Sequence, residues 1–134
     1  MTIEAKLDAI GIVAADLAKS LAFYRALGLP VPDGSENAPH VEVPLGGGMR
    51  LMFDKEETVR SFHPSWSPGV GAGRIGLAVS LPDPAAVDAL YAALTAAGHH
   101  GELAPFDAPW GQRYASMNDP DGNGVDLYAP LRPV

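Results

Sequence analysis

Two stretches of the chain repeat one pattern of apolar and polar positions. LDAIGIVAADLAKSLAFYRALG (residues 7–28) and GRIGLAVSLPDPAAVDALYAALTAAG (residues 73–98) each open on a short apolar run, pass an Asp and continue with helical spacing. The apolar runs predict strands. In the first helix Leu17, Leu21, Tyr24 and Leu27 return to one face. Asp16 is placed to accept the free N–H groups of the first turn, and Gly28 supplies a left-handed stop. In the second, Asp83 is the cap and Pro84 takes the first helical position, where no N–H is required. Val87, Leu90, Tyr91 and Leu94 form its apolar face, and Gly98 ends it.

Short strand patterns separated by Gly and Pro follow each helix. They fall at Leu29–Val31, Val41–Pro44 and Arg50–Phe53 in the first half, and at Gly101–Phe106, Gln112–Met117 and Val125–Tyr128 in the second. LGGGM and NDPDGNG join the last two strands of each half. The order is strand, helix and three strands, twice: a first module over residues 5–54 and a second over 74–131. Residues 55–73, KEETVRSFHPSWSPGVGAG, read as a loop rich in Gly, Pro and Ser, and loops of that length tend to be functional or mobile. The expected fold is α+β: one domain over 1–134 whose two βαβββ modules form a mixed sheet curled around a cleft. One helix per sheet leaves a bare sheet face, and a symmetric homodimer would hide part of it.

Composition narrows the function. Hydrophobic residues make up 47% of the chain, enough for a packed core. No apolar run reaches the ~18 residues of a membrane span. MTIEAKLDAI lacks the basic start and apolar run of a signal peptide, so the cytoplasm is the default compartment. The absence of cysteine excludes disulfides, thiolate metal sites and Cys nucleophiles. A formal net charge of −7 disfavours nucleic acid and favours neutral or cationic small ligands.

One stretch suggests calcium. Asp119, Asp121, Asn123 and Gly124 fit the opening of an EF-hand loop. The twelfth position, however, is Pro130 where a bidentate Glu is needed, and the flanks read as strands. NDPDGNG is therefore expected to be a turn that aims Asp126 from the following strand.

The repeated strand–Asp-Leu–FYRALG start, together with PWGQRYASMNDPDGNGVDLYAP, resembles the vicinal oxygen chelate superfamily. That superfamily includes glyoxalase I, extradiol dioxygenases, and fosfomycin- and bleomycin-resistance proteins. Its metal enzymes carry a His near the start of each half's first strand and a Glu in each half's last strand. Carried over by position, these four places fall on Ala9, Arg74, Met52 (Arg50 with a two-residue shift) and Asp126. Only Asp126 offers a hard donor, and Arg74 would repel a cation. The resemblance so read implies no cofactor, with a divalent metal the one to test for. An Arg74–Asp126 ion pair filling the metal's place is the physically sensible replacement.

The remaining candidates are ligand contacts. Strand alternation puts Gln112, Tyr114 and Ser116 on one face and Arg113, Ala115 and Met117 on the other. The resemblance makes the first face, with Asp126, the concave one, and Trp110 the stacking residue; Trp110 suits core or dimer packing equally. Phe62 and Trp66 cap the groove or dock on a partner. His40 and Glu42 share a strand face, while His63 lies in the long loop and His99 and His100 read as a solvated pair. Three functional classes follow: a metal-free binder that sequesters an aromatic or cationic antibiotic; a metal-dependent lyase, isomerase or dioxygenase; and a metal-independent enzyme using Tyr114, Asp126 or Arg74. The partners expected are a small organic ligand and a second copy of the chain.

Overall fold

A computed structural model describes residues 3–4, 6–69 and 75–132. The chain divides into two compact units, Met1–Pro68 and Gly69–Val134. Each combines a mixed sheet with helices, so the α+β class read from the sequence is the class found.

In the first unit, strand β1 (Ala9–Ala14) leads into helix α1 (Leu17–Leu27). The Asp16 side chain accepts from the Lys19 N–H at 3.1 Å. At the other end Gly28 stops the helix at φ 107°, a conformation that costs a side-chain-bearing residue energy. A short 3₁₀ turn (Ser35–Asn37) precedes β2 (His40–Gly46) and β3 (Met49–Lys55), and α2 (Glu56–Phe62) follows at once. The sheet order is β1-β3-β2, with β1 parallel and β2 antiparallel to the central β3. Val41, Val43, Leu51 and Phe53 are buried on one face, and the Phe53 ring lies 5.0 Å from that of Tyr24 on α1.

Two local expectations change here. Leu29–Val31 is not a strand. Pro30 and Pro32 have no N–H to give to a ladder, and the Val31 N–H turns back to the Leu29 carbonyl. Conversely, part of the expected 55–73 loop is helical. Glu56 and Glu57 suit the first turn of α2, Arg60 the last, and Val59 is buried. The Thr58 hydroxyl donates to the Pro39 carbonyl at 2.8 Å and ties α2 to the start of β2.

The second unit runs β4 (Gly76–Ser80), α3 (Pro84–Ala96), β5 (Gly101–Ala108), β6 (Gln112–Asn118) and β7 (Gly124–Pro130). The Asp83 side chain caps α3 through the Ala86 N–H at 2.8 Å, with Pro84 in the first turn. Sheet order is β4-β7-β6-β5. The helix packs across β5, β6 and β7. Ala115, Met117, Val125, Leu127 and Ala129 alternate along β6 and β7 and are fully buried, so the opposite face carries the residues between them.

The β6–β7 connection is the turn expected from NDPDGNG. Asp119 is buried, and its Oδ1 accepts the Asp121 and Asn123 backbone N–H groups at 2.9 and 2.8 Å. Its Oδ2 accepts from the Asn123 side chain at 2.7 Å. These three bonds are internal to the turn, two of them from backbone N–H groups, so the carboxylate organises the turn. Asp119→Ala leaves these donors without their acceptor and is expected to cost about 2 kcal/mol, read as a lower urea midpoint. An unchanged midpoint would mean that the backbone alone sets the turn.

Candidate functional site

On the second unit, the face of the sheet opposite α3 gathers five of the candidates read from the sequence. Gln112, Tyr114 and Ser116 alternate along β6, half-buried. Across the strand pair, Tyr114 stands opposite Tyr128 and Ser116 opposite Asp126. On the far side of β7, Asp126 stands opposite Ala78 of β4. Trp110 lies in the connection between β5 and β6 and is 60% exposed.

Aromatic contacts bind this face together. The Trp110 and Tyr114 ring centroids are 5.3 Å apart, with planes crossing at 80°. Phe106 of β5 completes a trio, 6.1 Å from Trp110 and 5.9 Å from Tyr114, again nearly perpendicular. Edge-to-face packing of this kind holds rings without slack. The Trp110 indole N–H donates to the Gln112 side-chain oxygen at 2.8 Å. Burial, helped by a hydrogen bond to Asp126 and that carboxylate's charge, pushes the Tyr114 hydroxyl up to about 12. At neutral pH Tyr114 is therefore a protonated donor.

On the first unit, the face opposite the Tyr24–Phe53 core carries a continuous charged chain. His40 Nδ1 is 2.6 Å from Asp54 Oδ1, and His40 Nε2 is 2.9 Å from Glu42 Oε2. The other Glu42 oxygen takes Arg50 Nη1 at 2.8 Å, and Arg50 Nη2 reaches Asp8 at 2.6 Å. Register explains the grouping: His40 stands opposite Asp54, Glu42 opposite Met52, and Arg50 opposite both Pro44 and Ala9. A neutral imidazole has one N–H and one lone pair, so it cannot donate to a carboxylate on each side; the imidazolium can. The bonds to Glu42, then to Asp54, hold His40 protonated above its usual range. In return the His40 bond, then Arg50, lowers Glu42.

The sequence candidates thus fall into three places. Trp110, Gln112, Tyr114, Ser116 and Asp126 come together on the second unit. His40 and Met52 share a sheet face on the first, Met52 directly across from Glu42. Phe62 ends α2 and is 71% exposed, and Trp66 follows it, half-buried beneath the Arg60 guanidinium at 5.1 Å. Arg74 lies outside the described residues, so its expected pairing with Asp126 does too. His100 is exposed and bonded to Glu102 at 3.0 Å, whereas His99 is half-buried rather than solvated.

Phe106 and Tyr128 were not singled out from sequence, nor were Asp8 and Asp54 of the charged chain; Arg50 entered only as the shifted alternative to Met52. β5 is bulged between Gly101 and Leu103 and between Leu103 and Phe106, which breaks the alternation that would have exposed Phe106.

These residues do not suit a divalent metal. Ala9 and Met52 lack hard donors, and the cross-strand neighbours of Asp126 are Ser116 and Ala78. Among the described residues no three His, Asp or Glu side chains converge to hold an ion. The carboxylates around His40 sit on opposite ring nitrogens, so the three cannot share one cation. Two cavities of about 440 and 460 Å³ lie in the first unit around Lys55, one beside the start of α1 and the other beside Pro39. Neither contains the aromatic trio. Among the described residues no helix is long and apolar enough to cross a membrane.

Comparison with known proteins agrees with this architecture. Residues 6–127 match the family model for the Glyoxalase/Bleomycin resistance protein/Dioxygenase superfamily. No curated protein matches the chain. Among solved structures, a glyoxalase/bleomycin resistance protein/dioxygenase family enzyme from Burkholderia phytofirmans superposes with a TM-score of 0.79 at 22% identity, over 95% of this chain and 100% of that one. A glyoxalase/bleomycin resistance protein/dioxygenase from Nocardioides gives 0.73 at 23%, over 100% and 89%. A lactoylglutathione lyase from Agrobacterium tumefaciens gives 0.65 at 22%, over 96% of each chain. At these identities the likeness is one of fold.

The His40 chain has a pH signature. A folded-state pKa above the usual 6.5 gives stability that is complete below that value and lost as pH rises through the folded one. In NMR titration the His40 ring is expected to have a midpoint above 6.5, and Glu42→Gln should lower it. The stability difference between wild type and His40→Gln should shrink over the same rise in pH. A midpoint at or below 6.5 would show the double-carboxylate arrangement absent in solution.

Proposed function

The chain belongs to the Glyoxalase/Bleomycin resistance protein/Dioxygenase superfamily, and from that premise we propose that it is a metal-free binder of a small aromatic or cationic organic molecule. The observation that carries the reading is the Trp110–Tyr114–Phe106 trio beside Gln112, Ser116 and Asp126 on one sheet face of the second unit. Trp110 is the exposed ring of the three, and an exposed indole held in place by its neighbours is a stacking platform with little entropy left to lose. A cation gains from the ring faces, from Asp126 and from the overall acidity of the chain. The donor sets described above are poor for a divalent metal, which supports binding without one. Sequestration of an antibiotic is the specific form of this activity, carried out in the cytoplasm by a homodimer that covers part of the bare sheet faces.

A second reading keeps the same residues and makes the protein a metal-independent enzyme. Tyr114, its hydroxyl kept protonated by the raised pKa, would then donate a hydrogen bond to an oxyanion developing on the substrate. Turnover of a screened substrate in the presence of chelator would favour it.

Titration with cationic glycopeptides and aromatic antibiotics is expected to quench tryptophan fluorescence. Trp110→Ala should weaken the bound compound about tenfold, the scale of one lost stacking or cation–π contact in a partly dry site. Unchanged affinity in that variant removes the central contact. Native mass spectrometry of freshly purified protein should show a dimer without a stoichiometric transition metal. One tightly held metal equivalent per chain overturns the metal-free reading.

A further inference from the structure

The candidate face on the second unit is chemically polar along its length. The indole N–H of Trp110 can only donate, so the atom of Gln112 that meets it at 2.8 Å must be the amide oxygen. This fixes the amide the other way round for a ligand: its NH₂ group is the part left to offer. Four residues further along the same strand face, Ser116 stands opposite Asp126. A carboxylate accepts hydrogen bonds, and Tyr114 lies on the same face between the two ends. The face therefore presents hydrogen-bond donors at the Trp110 end and a charged acceptor at the Asp126 end. Aromatic rings lie between and beside them. At the rise of a β-strand the two ends are roughly 13 Å apart.

We propose that this site takes an elongated aromatic molecule in one orientation, with an amine at Asp126 and a carbonyl-type acceptor at Gln112. The assignment rests on the binder reading above and refines it by placing the ligand's positive charge away from Trp110. A compound with acceptors at both ends faces Asp126 with its lone pairs. A compound with amines at both ends meets the Gln112 NH₂ donor to donor. Each mismatch leaves a polar group without a partner, the costly side of the hydrogen-bond balance. Exposed Trp110 remains free to cover the acceptor-bearing ring.

Three biphenyl probes of matched length test this by isothermal titration calorimetry on the full chain: 4-acetyl-4′-(aminomethyl)biphenyl, 4,4′-bis(aminomethyl)biphenyl and 4,4′-diacetylbiphenyl, the acetyl group being an acceptor only. The mixed probe is expected to bind about tenfold more tightly than either symmetric one, the effect of one mismatched polar end. Gln112→Glu keeps an oxygen for the Trp110 N–H and removes the donor, so it should shift the preference to the diamine. Asp126→Asn should weaken the two amine probes about tenfold and tighten the diacetyl probe, whose acceptor the new amide NH₂ can meet. A diamine that binds wild type as tightly as the mixed probe overturns the polarity while leaving the aromatic site standing. Absence of binding by all three probes overturns the site itself, and the polarity with it.

Discussion

The pairing of β6 with β7 is the constraint on which the candidate site depends. Ala115, Met117, Val125, Leu127 and Ala129 are fully excluded from solvent on the helix side of these strands. A slip of one residue would bring Tyr114, Ser116 and Asp126 under α3 and push the apolar set out, because side chains alternate strictly along a strand. Core burial therefore chooses which residues form the candidate face, and the same five apolar side chains that stabilise the unit aim Asp126 outward. The Asp119 turn acts at the end of that ladder. Its carboxylate collects donors that the tight connection would otherwise strand, and the connection then holds Asn118 opposite Gly124.

The first unit solves a different problem on its corresponding face. Met52 and Ala9 cannot bind a cation, yet three carboxylates (Asp8, Glu42 and Asp54) stand around them. Arg50 and the His40 imidazolium thread between these acids so that each of the three has a cationic neighbour. The groups are substantially exposed, so each pair alone contributes little. Their value lies in order: the chain fixes several side chains on a face whose own strands carry few large apolar groups.

How far this was legible in sequence depends on the range of the interaction. The Asp16 and Asp83 caps, the Gly28 stop and the alternation in GQRYASMN are local signals, and they placed α1, α3 and the Tyr114 face. α2 was hidden because seven residues give barely two turns of periodicity inside a segment full of Pro, Gly and Ser. Leu29–Val31 is apolar enough for a strand, but its neighbouring prolines remove the donors that pairing needs. His40 was paired correctly with Glu42, its neighbour at i+2. Asp54 is fourteen residues away and meets His40 only through antiparallel register, so no local pattern could reveal it.

The Trp110–Gln112 bond shows why the polarity of the candidate face is harder to read than its residues. Sequence spacing puts an indole two residues before an amide at the start of a strand, and both were candidate contacts on that ground. Only the fold reveals that they hydrogen-bond to each other. That bond engages the amide oxygen and leaves the side chain its NH₂ group to offer. The Asp126 carboxylate has no such ambiguity, since it has only acceptor oxygens, and the proposed polarity follows from the pair. A face that sequence alone describes as aromatic and mildly acidic thereby acquires a sense of direction, set by one internal hydrogen bond and one cross-strand register.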